Sequence, residues 1–93
     1  MLNEYLEYAC KVGRTEDVKL LLSKGADVHA YNDYSLRCAS LFGHIEVVKL
    51  LLNAGANVHA YHDDALAWAK YKGHTEVVKL LKKYMEGEEN VKN

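Results

Sequence analysis

The sequence has almost no excess of charge of either sign, because 12 lysines and arginines stand against 13 aspartates and glutamates. Proteins that bind nucleic acid or anionic membranes usually carry a marked excess of positive charge. The chain also lacks an apolar run near the roughly 20 residues of a membrane-spanning helix. Its first residues, Met1 to Glu4, do not follow the basic and then apolar pattern of a signal peptide. We therefore expect no nucleic-acid or membrane partner, and an intracellular, cytoplasmic location.

Cysteine is scarce, and neither Cys10 nor Cys38 has a second cysteine at metal-ligand spacing. We interpret both as buried thiols of a reducing compartment, with a disulfide or a reactive thiol as the alternative. The five histidines also give little indication of a metal site. His29 and His59 are expected about 8–10 Å apart, too far to share one ion, and the His59-x-x-His62 pattern alone is weak. We predict no metal and no cofactor.

The residue patterns of catalysis are missing as well. We find no serine or cysteine nucleophile with a plausible base, no glycine-rich phosphate loop and no converging pair of carboxylates. The chain is therefore not expected to be an enzyme. Its 49% hydrophobic and 27% charged residues are typical of an ordered protein, and 93 residues allow one domain with a limited core.

The chain does contain one pattern that occurs three times. Each copy starts at a glycine, Gly13, Gly43 or Gly73, and continues with Glu-x-Val-Lys-Leu-Leu three residues later. A constant period, here 30 residues, indicates a solenoid in which each unit buries its apolar face against its neighbours. We predict an all-α solenoid of three stacked helix pairs within residues 1–85. The units are placed at about 1–30, 31–60 and 61–85, and residues 86–93 are expected to form a flexible acidic tail.

Each unit is expected to form two short helices joined by a tight turn. The second helices are predicted near residues 15–24, 45–53 and 75–84. Gly13 suits the left-handed end of the first helix, and Thr15 is expected to cap the second. Extended connections with a tight bend are predicted at 26–33 and 56–63. Small residues at Ala9, Ala39 and Ala69 should let the first helices approach one another closely.

The second helices should bury an apolar stripe and expose a charged one. In the first unit Val18, Leu21 and Leu22 form the stripe, while a Glu and a Lys three residues apart face solvent in every unit. The exposed pairs are Glu16/Lys19, Glu46/Lys49 and Glu76/Lys79.

Polar residues replace apolar ones toward the two ends of the array. Asp17 stands where the inner copies have valine, and Lys82 stands where the middle unit has Leu52. We interpret these changes as caps of a complete three-unit array. The alternative is that position 82 lies on the solvent side in every unit.

The segment from Gly43 to Val58, Gly-His-Ile-Glu-Val-Val-Lys-Leu-Leu-Leu-Asn-Ala-Gly-Ala-Asn-Val, closely resembles the consensus of the ankyrin-repeat family. The resemblance covers residues 1 to 84. The family's Thr-Pro-Leu-His is replaced by Tyr34-Ser35-Leu36-Arg37 and Asp64-Ala65-Leu66-Ala67, and the chain has no proline. The unit is about three residues shorter than the usual one of about 33, which shortens the hairpin finger between units. Such units resemble the ankyrin arrays encoded by giant DNA viruses of amoebae.

The resemblance implies the fold and the kind of function to expect. His44 and His74 should be structural, beside the turn that precedes the second helix. A protein partner, a host protein if the viral resemblance holds, should contact the fingers and the exposed sides of the first helices. Mapped onto this sequence, the partner-binding positions are Tyr31, Asn32, Asp33, Arg37, Leu41, Phe42, Tyr61, His62, Asp63, Tyr71 and Lys72. The alternative is a structural unit that self-associates through the same face, so the chain is expected to be a monomer or a weak homo-oligomer.

Overall fold

The computed structural model describes residues 1–92, and their side chains as far as Gly87. These residues form six helices and no strand. The helices are α1 (Leu2–Val12), α2 (Thr15–Ser23), α3 (Ala30–Leu41), α4 (Ile45–Asn53), α5 (Ala60–Lys72) and α6 (Thr75–Lys92). The fold is the predicted all-α solenoid of stacked helix pairs.

The helices stack in two layers. In the first layer α3 packs between α1 and α5, and in the second layer α4 packs between α2 and α6. The core runs between the layers and includes fully buried leucines from each unit, among them Leu6, Leu36 and Leu51. The alanines predicted to allow close approach, Ala9, Ala39 and Ala69, are all buried in this core.

The tight turns inside the units follow the prediction, except for the cap of the second helix. Gly13 and Gly73 adopt the left-handed conformation with φ of 81° and 76°. The Thr15 prediction was wrong, because Arg14 is the N-cap residue and Thr15 is already helical. The glycine turn leaves only two residues between α1 and α2, so the cap position falls one residue earlier than expected. The Arg14 guanidinium instead donates to the Asp17 carboxylate in the first turn of α2.

The tight bend predicted in each connection between units is present, but the rest of the connection is not extended as the sequence predicted. The first residues of α3 and α5 belong to these connections, because residues 31–33 have φ of 54° to 56° and residues 61–63 have φ of 56° to 60°. Each connection thus contains a left-handed turn, and the regular right-handed helix follows it. Left-handed conformations cost non-glycine residues about 1–2 kcal/mol each. Hydrogen bonds, which the sequence pattern does not reveal, hold the turns. The Asp33 N–H donates to the His29 carbonyl, and the Asp63 N–H donates to the His59 carbonyl, both at 3.2 Å.

The solvent face of the second helices carries the three predicted ion pairs. The nitrogen–oxygen distances are 3.2 Å for Glu16/Lys19, 3.4 Å for Glu46/Lys49 and 3.8 Å for Glu76/Lys79. All six side chains are exposed, so each pair contributes at most a few tenths of a kcal/mol. No helix in the described range is long and apolar enough to cross a membrane.

The last unit differs from the middle one on the side that would face a following unit. Lys82 is exposed whereas Leu52 is buried, so this position does not lie on the solvent side in every unit. Helix α6 continues to Lys92 through most of the segment expected to be a tail, and Asn93 lies outside the described residues.

Candidate partner-binding surface

The two left-handed turns present equivalent side chains one repeat apart. Tyr31 and Tyr61 are the first residues of these turns and are 65% and 59% exposed. Asn32 and His62 follow them and are also exposed. A solvent-exposed aromatic ring is therefore held at the same position of successive units.

Asp33 lies at the third position of its turn, and its carboxylate is used inside the fold. It is buried, accepts the Asn57 N–H at 2.7 Å and lies 3.1 Å from Nδ1 of His29. Asp63 is the equivalent residue of the last unit. It is exposed and lies 2.7 Å from Nδ1 of His59. Asp33 thus joins two units, whereas the contact of Asp63 with His59 lies within its own turn.

Arg37 belongs to the second unit and connects the turn of that unit to the third unit. Its guanidinium donates to the carbonyl oxygens of Tyr31 at 3.0 Å and Asn32 at 3.1 Å, and to the Asp64 carboxylate at 3.3 Å. The guanidinium carbon also lies 4.6 Å from the centre of the Tyr61 ring and 5.2 Å from that of Tyr34. Arg37 therefore holds the left-handed turn and positions both aromatic rings.

A second group of predicted residues lies at the other end of the first helices. Phe42 and Tyr71 are exposed, Tyr71 to 79%, while Leu41 is half-buried. The exposed Lys72 ammonium lies 5.8 Å from the Tyr71 ring centre. From Tyr34 to Phe42 the α3 helix rises about 12 Å, so the two groups lie at opposite ends of a short helix.

Sequence reasoning missed several exposed aromatic residues. Trp68 makes an edge-to-face contact with Tyr71 at 5.9 Å between ring centres, and Tyr34 lies against Arg37. Both are partly exposed. The signal was available, since tryptophan and tyrosine are the residues most enriched in binding hot spots. Tyr5 and Tyr8 were also missed, and both are exposed on α1.

His44 and His74 are structural, as predicted. Nε2 of His44 donates to the Lys11 carbonyl and Nε2 of His74 donates to the Leu41 carbonyl, both at 2.9 Å. Each bond joins a turn to the helix pair before it. Among the described residues no group of three histidine, cysteine or acidic side chains is placed to hold a metal ion.

The two thiols are buried and free, which agrees with the interpretation of unreactive cysteines. Burial raises the pKa of Cys10 to about 12. A hydrogen bond with Ser35 lowers this pKa but offsets only part of the rise. Burial also raises the pKa of Cys38. A thiol must ionise to act as a nucleophile, so both cysteines are poor nucleophiles at neutral pH.

Comparison with known protein families gives a match over most of the chain. The model of a family described as ankyrin repeats, in three copies, matches residues 6–93, or 88 of the 93 residues. A search of curated proteins gives no match to the chain.

Proposed function

The chain belongs to the ankyrin-repeat family, and we propose that it binds another protein through its fingers and the exposed sides of its first helices. Ankyrin repeats are generally protein-protein interaction modules and are typically not enzymes. The partner surface in this proposal consists of Tyr31, Asn32, Arg37, Leu41, Phe42, Tyr61, His62, Asp63, Tyr71 and Lys72, and it is extended by Tyr34 and Trp68. Asp33, which the sequence also placed on this surface, is buried and supports its turn from inside the fold.

The arrangement of Tyr31, Arg37 and Tyr61 is the observation that carries the proposal. Both tyrosine rings are exposed, and the Arg37 guanidinium hydrogen-bonds to the backbone carbonyl of Tyr31 and packs on the ring of Tyr61. It therefore fixes the backbone of one turn and the aromatic ring of the next. Aromatic rings held in place before binding lose little conformational entropy when a partner covers them. Tyrosine and arginine also dominate the binding energy of many interfaces.

The short fingers favour a partner that reaches down to the first helices. Each left-handed turn uses only three residues, so the finger extends little beyond α3 or α5. Phe42 and Tyr71 then supply apolar area at the far end of the same helices. We expect the partner to be a cytoplasmic protein, and a host protein if the resemblance to giant-virus arrays holds.

Affinity capture from the source cell with quantitative mass spectrometry tests the proposal. The bait is compared with a Tyr31→Ser/Tyr61→Ser variant and with a Glu46→Ala/Lys49→Ala control on the solvent face of α4. A specific partner should be retained by the control and lost by the tyrosine variant. Equal recovery on all three baits would mean that the fingers are not the binding surface.

The exposed apolar residues near the ends of α3 and α5 favour a second candidate function. Leu41, Phe42 and Tyr71 could pair with the same face of another copy, which would make the chain a structural unit of a homo-oligomer. Light scattering over a concentration series separates the two functions. A mass that rises with concentration in wild type, but not in Phe42→Ser/Tyr71→Ser, supports this second function.

A further inference from the structure

The two ends of the stack differ in chemistry. At the carboxyl-terminal end Lys70 is exposed, whereas the equivalent Cys10 and Ser40 of the inner interfaces are fully buried. Lys82 is likewise exposed where Leu52 is buried. This end therefore presents lysines at positions that contact a following unit elsewhere in the stack.

The amino-terminal end is aromatic and aliphatic instead. Tyr5 and Leu20 are 57% and 54% exposed, and Tyr8 is similarly exposed. A shallow cavity of about 280 Å³ opens between α1 and α2 on this side. We call this surface the amino-terminal face, and it is lined by Tyr5, Tyr8, Arg14, Asp17, Leu20 and Leu21.

Another unit of the same kind does not fit this face. The positions equivalent to Tyr5 are Ser35 and Ala65, which are only 3% and 1% exposed because a preceding helix packs closely on them. A tyrosine at this position leaves no room for the same close approach. The carboxyl-terminal end of a second copy would in addition bring the two ammonium groups of Lys70 and Lys82 onto a lining with one acidic side chain, Asp17, which already pairs with Arg14. Burying these charges would cost free energy.

We propose that the amino-terminal face binds the amino-terminal face of a second copy, related by a twofold axis. A twofold interface requires a surface that is complementary to itself. In such a dimer Tyr5, Tyr8 and Leu20 of one copy would pack against the same residues of the other copy. The Arg14 and Asp17 pair, one cation beside one anion, would meet Asp17 and Arg14 of the second copy. The tyrosine hydroxyls can remain at the wet rim, where tyrosine is common in interfaces.

The interface is small, since it uses one end of a 93-residue chain, and the dimer is expected to be weak. Sedimentation velocity on the whole chain, from micromolar to millimolar concentration, measures it. Wild type should form a dimer within this range, and Leu20→Lys should remain monomeric. The control Phe42→Ser/Tyr71→Ser, altered on the partner-binding surface, should dimerise like wild type.

Charge reversal tests the twofold arrangement itself. Arg14→Asp alone places two aspartates opposite each other across the interface, and Asp17→Arg alone places two arginines there. Each single variant should weaken the dimer by roughly tenfold or more, because an attractive pair becomes repulsive. An equimolar mixture of the two variants restores both opposite-charge pairs. Heterodimers should therefore form at the concentration at which wild type dimerises.

The folding of both variants is checked by circular dichroism, and neither change disturbs a buried group. Aspartate is a favoured residue at the helix N-cap position that Arg14 occupies. A wild type that is monomeric at millimolar concentration overturns the proposal and leaves a different protein as the occupant of this face. A dimer that Phe42→Ser/Tyr71→Ser abolishes and Leu20→Lys does not, or a mixture that stays monomeric, overturns it as well.

Discussion

The imidazole of His44 lies directly against Gly13 of the preceding unit. A Cβ atom at Gly13 would stand 2.6 Å from Nδ1 of His44, which is closer than real Cβ contacts allow. His74 lies against Gly43 in the same way, also at 2.6 Å, whereas nothing lies within 4 Å of that position at Gly73. Gly13 and Gly43 are thus required both for the left-handed turn and to leave room for the histidine of the next unit. Gly73 is required only for its turn.

Gly43→Ala should therefore destabilise the protein more than Gly73→Ala. Both glycines are left-handed, with φ of 74° and 76°, so alanine costs about 1–2 kcal/mol of backbone strain at either position. Only Gly43→Ala also displaces His74 and its hydrogen bond to the Leu41 carbonyl, which adds about 1 kcal/mol or more. Denaturant unfolding measures both losses. Equal losses would show that the histidine moves aside without cost.

Leu51→Ala should cost about 2–5 kcal/mol, the usual range for a buried leucine. Leu51 is fully buried in the middle unit, which has neighbours on both sides. Since small domains are stable by only some 5–15 kcal/mol, a large part of the protein should be unfolded at 37 °C. The urea midpoint measures the change, and Leu20→Ala, at an exposed position of α2, should shift it much less.

Cys10 should react with a disulfide reagent only through unfolding. Its pKa of about 12 leaves almost no thiolate at pH 8, and the thiol is buried. In the Cys38→Ser variant, which leaves Cys10 alone, labelling in native buffer should be slower than in denaturant by orders of magnitude. Rapid native labelling at pH 8 would mean that the interface between α1 and α3 opens readily.

Glu7→Gln should raise the melting temperature at pH 7, and the gain should shrink as the pH falls. Burial and the nearby Glu4 raise the pKa of Glu7 above its usual value near 4.5, and its buried Oε2 has no hydrogen-bond partner. A raised folded pKa means that the native state favours the neutral acid. The stabilising effect of the neutral form is complete below about pH 4.5 and is lost as the pH rises through the folded value.

The difference in melting temperature between wild type and Glu7→Gln separates the effect of the Glu7 carboxyl group from the titration of all other groups. Melting curves at pH 7 and pH 4 should show a clear gap at pH 7 and a smaller gap at pH 4. A gap of constant size across this range would show that the charge of Glu7 has no effect on stability.

The repeat made most of the fold predictable. Gly13 and its two equivalents determine where each first helix ends. Of the predicted apolar stripe, Val18 lies in the core, and Leu21 and Leu22 pack against it partly buried. A pattern that occurs three times indicates each helix boundary three times. The helices were therefore placed within a few residues, except at the end of α6, where the repeat stops and the helix continues to Lys92.

The connections between units were predicted wrongly because their conformation depends on contacts far along the chain. Tyr31, Asn32 and Asp33 adopt left-handed conformations that local preference does not indicate for tyrosine. The turn is held by Arg37 and by the bond from the Asn57 N–H to Asp33, a residue 24 positions earlier. The sequence named Arg37 and Asp33 only as partner-binding positions, and their contacts inside the fold could not be predicted from it.

The binding affinity of the purified partner for Tyr61→Ser and for Glu46→Ala/Lys49→Ala tests the proposed function most directly. Tyr61 is the ring that Arg37 positions, so its loss should weaken binding by about 30-fold or more, as for a hot-spot residue worth at least about 2 kcal/mol. The control on α4 should bind within about twofold of wild type. A Tyr61→Ser affinity equal to that of the control would contradict the account.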